Sequence, residues 1–195
     1  MNGNESTVNE NKPQDGRSML AEVFEWVQMM ALYFSVAMLI LVLFFTHSPV
    51  NGSSMNPTLN DGDVLIIRKL AYTPKNGDII VCQSESYGFD KPLVKRIIAT
   101  EGQTVSIDYE KRQITVDGKL LNEDYITNDS YPFDSSDYLG KEFTVPKGHF
   151  FVMGDNRGRG KSLDSRYESV GMIDERFILG KVVLRVFPIK DFKFF

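Results

Sequence analysis

Asn51-Gly52-Ser53-Ser54-Met55-Asn56-Pro57-Thr58-Leu59 is a short turn-forming run with two adjacent serines, placed just after an apolar stretch of membrane length. From Trp26 to Phe45 no residue is charged. At about 1.5 Å rise per residue, roughly 20 helical residues span about 30 Å, the thickness of a hydrocarbon core. Trp26 stands where an interfacial anchor would. A cleavable secretory leader is disfavoured, because the apolar run is too long and the stretch before it is not clearly basic. The spacing therefore predicts one transmembrane helix over 23–46. Residues 1–18 are polar and Asn-rich and predict a disordered tail. Lys12 and Arg17 precede the span, and Arg68, Lys69 and Lys75 follow it, so counting charges leaves both orientations open.

Beyond residue 47, short β-prone runs alternate with turn signals. Val64–Arg68, Asp78–Cys82, Leu93–Ala99, Thr104–Asp108, Gln113–Val116, Phe143–Val145, His149–Met153 and Lys181–Phe187 are the expected strands. Asp61-Gly62-Asp63, Asn76-Gly77-Asp78 and Asp117-Gly118-Lys119 supply turns. Gln113–Val116 and Lys119–Leu121 around Asp117-Gly118 predict a hairpin. Asn122–Gly140, rich in Asp, Ser, Asn and Tyr, predicts a long surface loop. The expected fold is mainly β, with a small inserted β subdomain at about 102–147.

With 195 residues the chain suits one domain with an elaboration. A net charge of -4 lacks the basic footprint of a nucleic-acid partner. Cys82 is the lone cysteine, so the chain has no internal disulfide and no cysteine set for zinc. Two histidines, His47 and His149, do not make a His-rich metal site. No metal or organic cofactor is expected.

A serine hydroxyl needs a base to become a nucleophile. Neither histidine sits in a pattern that suggests a Ser–His–Asp arrangement. A lysine can serve if it is neutral, which requires lowering its pKa from about 10.4; about three units cost about 4 kcal/mol. Apolar surroundings impose such a shift by desolvation. Lys95, in Leu93-Val94-Lys95-Arg96-Ile97-Ile98, is the lysine most closely flanked by apolar residues. On a strand, Lys95 and Arg96 point to opposite faces. Composition alone also allows both to be edge-strand charges.

Three runs occur in order behind the single span: Ser54-Met55-Asn56-Pro57-Thr58-Leu59; Val94-Lys95-Arg96-Ile97; and Gly154-Asp155-Asn156-Arg157 followed by Ser162-Leu163-Asp164-Ser165-Arg166. Together they resemble the type I signal peptidases, membrane-bound Ser/Lys endopeptidases that remove secretory signal peptides. The likeness extends over the anchor and most of 47–190. It implies Ser54 as nucleophile rather than Ser53, Lys95 as general base, and Ser162 as the serine that hydrogen-bonds and orients the lysine amine. It further implies that Asp155 pairs with Arg96 and Asp164 with Arg166. It leaves Asn156 and Arg157 without a catalytic role.

The chain departs from some members in two places. Where some have a serine whose hydroxyl helps bind the oxyanion, this chain has Gly52, and in this it resembles the Gram-positive branch, which has glycine there. The resemblance then implies an oxyanion region at Gly52 and Ser54 in which the Ser54 N–H is joined by a backbone or water-mediated donor. Gly158-Arg159-Gly160-Lys161 puts four residues before Ser162 where two are common, so Ser165 stands as the alternative to Ser162. The resemblance implies that Met55, Leu93 and Val94 line pockets for the small residues at positions -1 and -3 of a secretory preprotein. That substrate is expected to add as a strand beside Leu93–Lys95. It also implies a cytoplasmic tail at 1–22, the lipid bilayer as partner of 23–46, and an extracytoplasmic catalytic domain at 47–195 in the cell membrane. The rivals are another Ser/Lys peptidase, such as the self-cleaving repressor domains, and an inactive anchored β-domain.

Overall fold

The computed structural model describes residues 18–83, 91–126, 142–158 and 160–195. The expected tail up to residue 17, most of the expected loop 122–140, and Arg159 lie outside the described residues. Two units are distinguished, residues 1–41 and 42–195.

Helix α1 runs Met19–Phe44, with a mean hydropathy of 2.3 in its most apolar window. It is long and apolar enough to cross a membrane. The helix is offset from the expected span 23–46 at both ends. At the start, Ser18 caps the first turn by accepting the Ala21 N–H at 3.3 Å, and Glu22 sits favourably near the N-terminus. At the end, the backbone becomes extended at Phe45, where strand pairing takes over. Within the apolar run, the Ser35 hydroxyl donates to Ala31 O at 2.8 Å, which satisfies a polar group that hydrocarbon would not. Lys69 caps the last turn: its backbone N–H donates to Phe44 O at 2.8 Å and its Nζ to Val42 O at 3.1 Å.

The rest is mainly β. Strands β1 (Phe45–Pro49), β2 (Val64–Arg68), β3 (Ile79–Cys82), β4 (Leu93–Ala99), β9 (His149–Met153), β10 (Ile173–Asp174), β11 (Ile178–Phe187) and β12 (Lys193–Phe194) form one antiparallel sheet. Its order is β1-β2-β11-β3-β4-β9-β10, with β12 also on β11. A second sheet, β5 (Thr104–Asp108), β6 (Gln113–Val116), β7 (Lys119–Leu120) and β8 (Glu142–Thr144), has the order β7-β6-β5-β8. β1, β10 and β12 were not among the expected strands.

Period-two alternation sorts β4 between clusters. Val94 joins Val50, Met55, Leu59, Leu65, Ile79 and Val81 on one face. Ile97 joins Ile80, Cys82, Phe150 and Val152 on the other, a cluster against which Leu93 packs. A third cluster, including Ile98, Phe151 and Met153 with Val105, Ile107 and Ile114, joins the two sheets. β4 pairs with β3 from Leu93 to Arg96, but with β9 only from Arg96 onward, where Arg96 faces Met153. The β9-facing edge of Leu93–Lys95 therefore carries no strand among the described residues.

Candidate active site

The 51–63 loop is pinned before its serines are placed. Val50 N–H donates to Asp63 O at 2.8 Å and Gly62 N–H to Val50 O at 3.0 Å, closing the loop at its base. The buried Asp63 carboxylate accepts from Asn60 N–H and from Arg185, both at 2.9 Å. Met55 and Leu59 are buried in the core. Gly52 has φ +92°, a conformation that favours glycine. Its N–H donates to Asp61 Oδ1 at 2.7 Å, so this amide is spent on the loop and is not a free oxyanion donor. The Ser54 N–H donates to no acceptor among the described residues.

Against this loop, Lys95 extends from β4. Its Nζ lies 2.9 Å from Ser54 Oγ, and the residue is only 2% exposed. Burial pushes the amine below the usual lysine range; the Asp164 carboxylate is the largest influence in the opposite sense. Asp164 is itself committed. Burial alone would raise its pKa, but Arg166 holds it below the usual carboxylate range through bonds of 2.8 and 3.0 Å. Cys82 is buried and its thiol is pushed up to about 11, so at neutral pH it offers Lys95 no counter-charge. Ser54 and Lys95 thus form a close hydroxyl–amine pair with the amine disposed to be neutral.

Arg96, one residue on, meets Asp155 in a two-pronged pair of 2.8 and 2.6 Å and donates to Gly77 O at 2.9 Å. Its guanidinium lies 4.0 Å from the centre of the Tyr125 ring.

Ser162 and Ser165 are both buried, in different settings. Ser165 is tied to β9: its Oγ accepts the Val152 N–H at 3.1 Å and its own N–H donates to Val152 O at 3.0 Å. Ser162 packs on Gly154, where an added Cβ would fall 2.2 Å from Ser162 Oγ and 2.4 Å from Ser54 O. Gly154 is thus the point where the Ser54 loop and Ser162 meet, and no side chain fits there. The expected hydrogen bond from Ser162 to the Lys95 amine is not formed. Ser162 Oγ has no partner of ordinary geometry among the described residues, though it lies close enough to Asp164 to help hold that carboxylate ionised.

The three expected pocket residues fall in two core clusters. Met55 and Val94 share one cluster, whereas Leu93 packs with the cluster on the opposite face of β4. Other contributors had no assigned role in the sequence reading. Asn156 N–H donates to Ser54 O at 3.0 Å and its Nδ2 to Ser53 O at 2.9 Å. Arg157 is buried and paired with Glu123. The run of Gly154-Asp155-Asn156-Arg157 in one turn was the available signal for these residues.

Comparison with known proteins identifies the family. The family model of signal peptidase, peptidase S26, matches residues 23–187. The chain belongs to this signal peptidase family. A signal peptidase IB from Staphylococcus aureus (strain MRSA252) is 31% identical over 191 residues, covering 90% of this chain and 95% of its own length. A signal peptidase I from Bacillus licheniformis is 32% identical over 181 residues, covering 88% and 92% respectively. A solved signal peptidase I from Enterococcus faecalis V583 is 28% identical, with a TM-score of 0.43 over 56% of this chain and 97% of that one. As a signal peptidase, the chain is a peptide-bond hydrolase, and α1 makes it a membrane-anchored one.

Proposed function

We propose that this signal peptidase removes N-terminal signal peptides from secreted preproteins, with Ser54 as nucleophile and Lys95 as general base. The observation that carries the reading is the 2.9 Å approach of Lys95 Nζ to Ser54 Oγ at a lysine buried to 2% exposure. Desolvation favours the neutral amine, the form that can accept the Ser54 proton as Oγ attacks the scissile carbonyl carbon. The negative charge then developing on the carbonyl oxygen is met by the Ser54 N–H, which has no acceptor among the described residues. Lys95 passes its proton to the leaving amine, the C–N bond breaks, and an acyl ester on Ser54 remains. Lys95 next deprotonates a water, which attacks the ester; Ser54 is regenerated and the signal peptide leaves with a new carboxylate.

The substrate adds as an extended strand along the open edge of Leu93–Lys95. Met55 and Val94, buried in one cluster, form with Leu93 the apolar wall that favours small residues at -1 and -3. Ser162 and the Asp164–Arg166 pair hold the floor beside Lys95, and Ser162 reaches the amine once the latter gives up Ser54 to the substrate. Residues 1–22 are cytoplasmic, α1 crosses the bilayer from Val23 onward, and 47–195 act on the extracytoplasmic face.

The test is incubation of the detergent-solubilised protein with a preprotein. Cleavage at a small-x-small site is expected from the wild type, and none from Ser54→Ala or Lys95→Ala. Undiminished cleavage by either variant refutes the assignment.

A further inference from the structure

After β7 the chain still follows the second sheet for one bond, Leu121 N–H to Ile114 O at 2.8 Å. It then leaves the sheet and presents Glu123 and Tyr125 to the arginines of the site. The Glu123 carboxylate pairs with Arg157 Nη2, with side chains 8% and 0% exposed. Arg157 Nε donates to Gly154 O at 2.8 Å, while Gly154 N–H donates to Asp164 Oδ2 at 3.0 Å, so Gly154 is gripped on both sides. Arg166 Nη1 donates to Arg157 O at 3.3 Å. From the middle of the same turn, Asn156 holds the carbonyls of Ser53 and Ser54. The turn at 154–157 thus faces two ways. One side holds the serine loop, and the other is held by a carboxylate supplied from 34 residues earlier in the chain.

A buried ion pair adds little net stability over apolar residues of similar volume, because desolvation offsets the Coulomb attraction. What the Glu123–Arg157 pair supplies is direction. The fork of Arg157 fixes Gly154 O, and with it the turn on which Asn156 stands. We propose that Glu123 is a positioning residue for Ser54, acting through Arg157 and Asn156, so that the inserted segment sets the Ser54–Lys95 approach. The proposal rests on the reading of Ser54 as nucleophile. A misplacement of about 1 Å at a reacting group costs about 100-fold in rate.

The experiment measures kcat and KM for preprotein cleavage by the full chain in detergent, well below the unfolding temperature of each variant. Glu123→Gln keeps the shape and removes the charge. It is expected to lower kcat by about 10- to 100-fold, with KM within about twofold and the acid limb of the pH profile in place, because Lys95 stays buried. Asn156→Ala is expected to lower kcat as well. Since both act on one turn, the double variant should be no slower than the slower single one. Where Glu123→Gln does not fold, Arg157→Lys serves: it keeps the cation and loses the Nε donor, and the same loss confined to kcat is expected. Wild-type kcat in the variant measured, a loss confined to KM, or effects that multiply in the double variant overturn the proposal. Ser54→Ala, run alongside, separates the two readings. Cleavage by that variant refutes the nucleophile assignment, whereas wild-type kcat in Glu123→Gln beside an inactive Ser54→Ala refutes only the positioning role.

Discussion

Lys95 and Arg96 follow one another on β4, and the strand sends their side chains to opposite faces. Arg96 finds a full complement of partners: Asp155, the Gly77 carbonyl and the Tyr125 ring. Lys95 is buried more deeply, yet among the described residues its only hydrogen bond is to the Ser54 hydroxyl, and the carboxylate that acts on it most strongly, Asp164, is engaged by Arg166. Two adjacent cations thus meet contrary environments. One is compensated and stays charged as part of the framework. The other is left uncompensated, so burial acts on its proton affinity. A single step along the backbone separates the side chain that braces the site from the one proposed to perform the chemistry.

The sharpest way to break this comparison is to remove the reactive pair. Ser54→Ala, or Lys95→Ala, is expected to lower kcat for preprotein cleavage by about 10,000-fold or more. Circular dichroism should show an unchanged fold. Lys95→Arg is equally inactive, because a guanidinium does not give up its proton.

The framework side should instead fail in stability. Asp155→Ala leaves the Arg96 cation without its carboxylate and is expected to cost about 3–5 kcal/mol, measured by thermal unfolding in detergent. A loss below about 1 kcal/mol would remove the contrast with Lys95.

Between the two lies Gly154. An alanine there puts a Cβ within 2.4 Å of the Ser54 carbonyl oxygen. The expected result is a loss of about 100-fold in kcat, because the backbone of the serine loop must shift.

The subtlest test uses pH. The folded-state pKa of Lys95 lies below its unfolded value of about 10.4, so the unfolded chain binds more protons between the two. Stability of the wild type therefore rises with pH through that window, and the burial penalty is fully present below the folded pKa. Lys95→Met carries no such penalty. It should unfold at a higher temperature than the wild type in acid, by about 2–4 °C per kcal/mol, and the gap should close as pH approaches about 10.4. Wild-type activity should rise with pH through the folded pKa, as neutral amine becomes available. A flat stability difference, or activity favoured by acid, would show that Lys95 is charged in the folded protein.

Much of this was legible in residue order because it is local. The apolar flanks of Lys95, the turn around Ser54 and the alternating strands of both sheets are short-range patterns. β1 was hidden because Phe45 and Thr46 continue an apolar run, and only pairing with Ile67 and Arg68 makes them extended. β10 and β12 are two-residue strands that exist through their partners. Leu93 was grouped with Val94, although period two separates them. Glu123 and Arg157 were illegible as a pair, because nothing local distinguishes an acid in a polar loop from one closing on a buried arginine. Gly52 illustrates the reverse: the glycine was conspicuous, but the capture of its N–H by Asp61 depends on the loop closing.

The uncompensated burial of Lys95 has a consequence for turnover. On the proposed mechanism, each cleavage leaves a signal peptide whose new carboxylate is created beside this amine. A carboxylate at contact distance favours the ammonium form, so product and proton bind together. By the same linkage the departing peptide must release a proton or leave a bare cation in an apolar site. Signal peptide is therefore expected to inhibit most tightly in acid and to wash out as pH rises. The group that starts each cycle by holding no charge would be the one that delays its end by acquiring one.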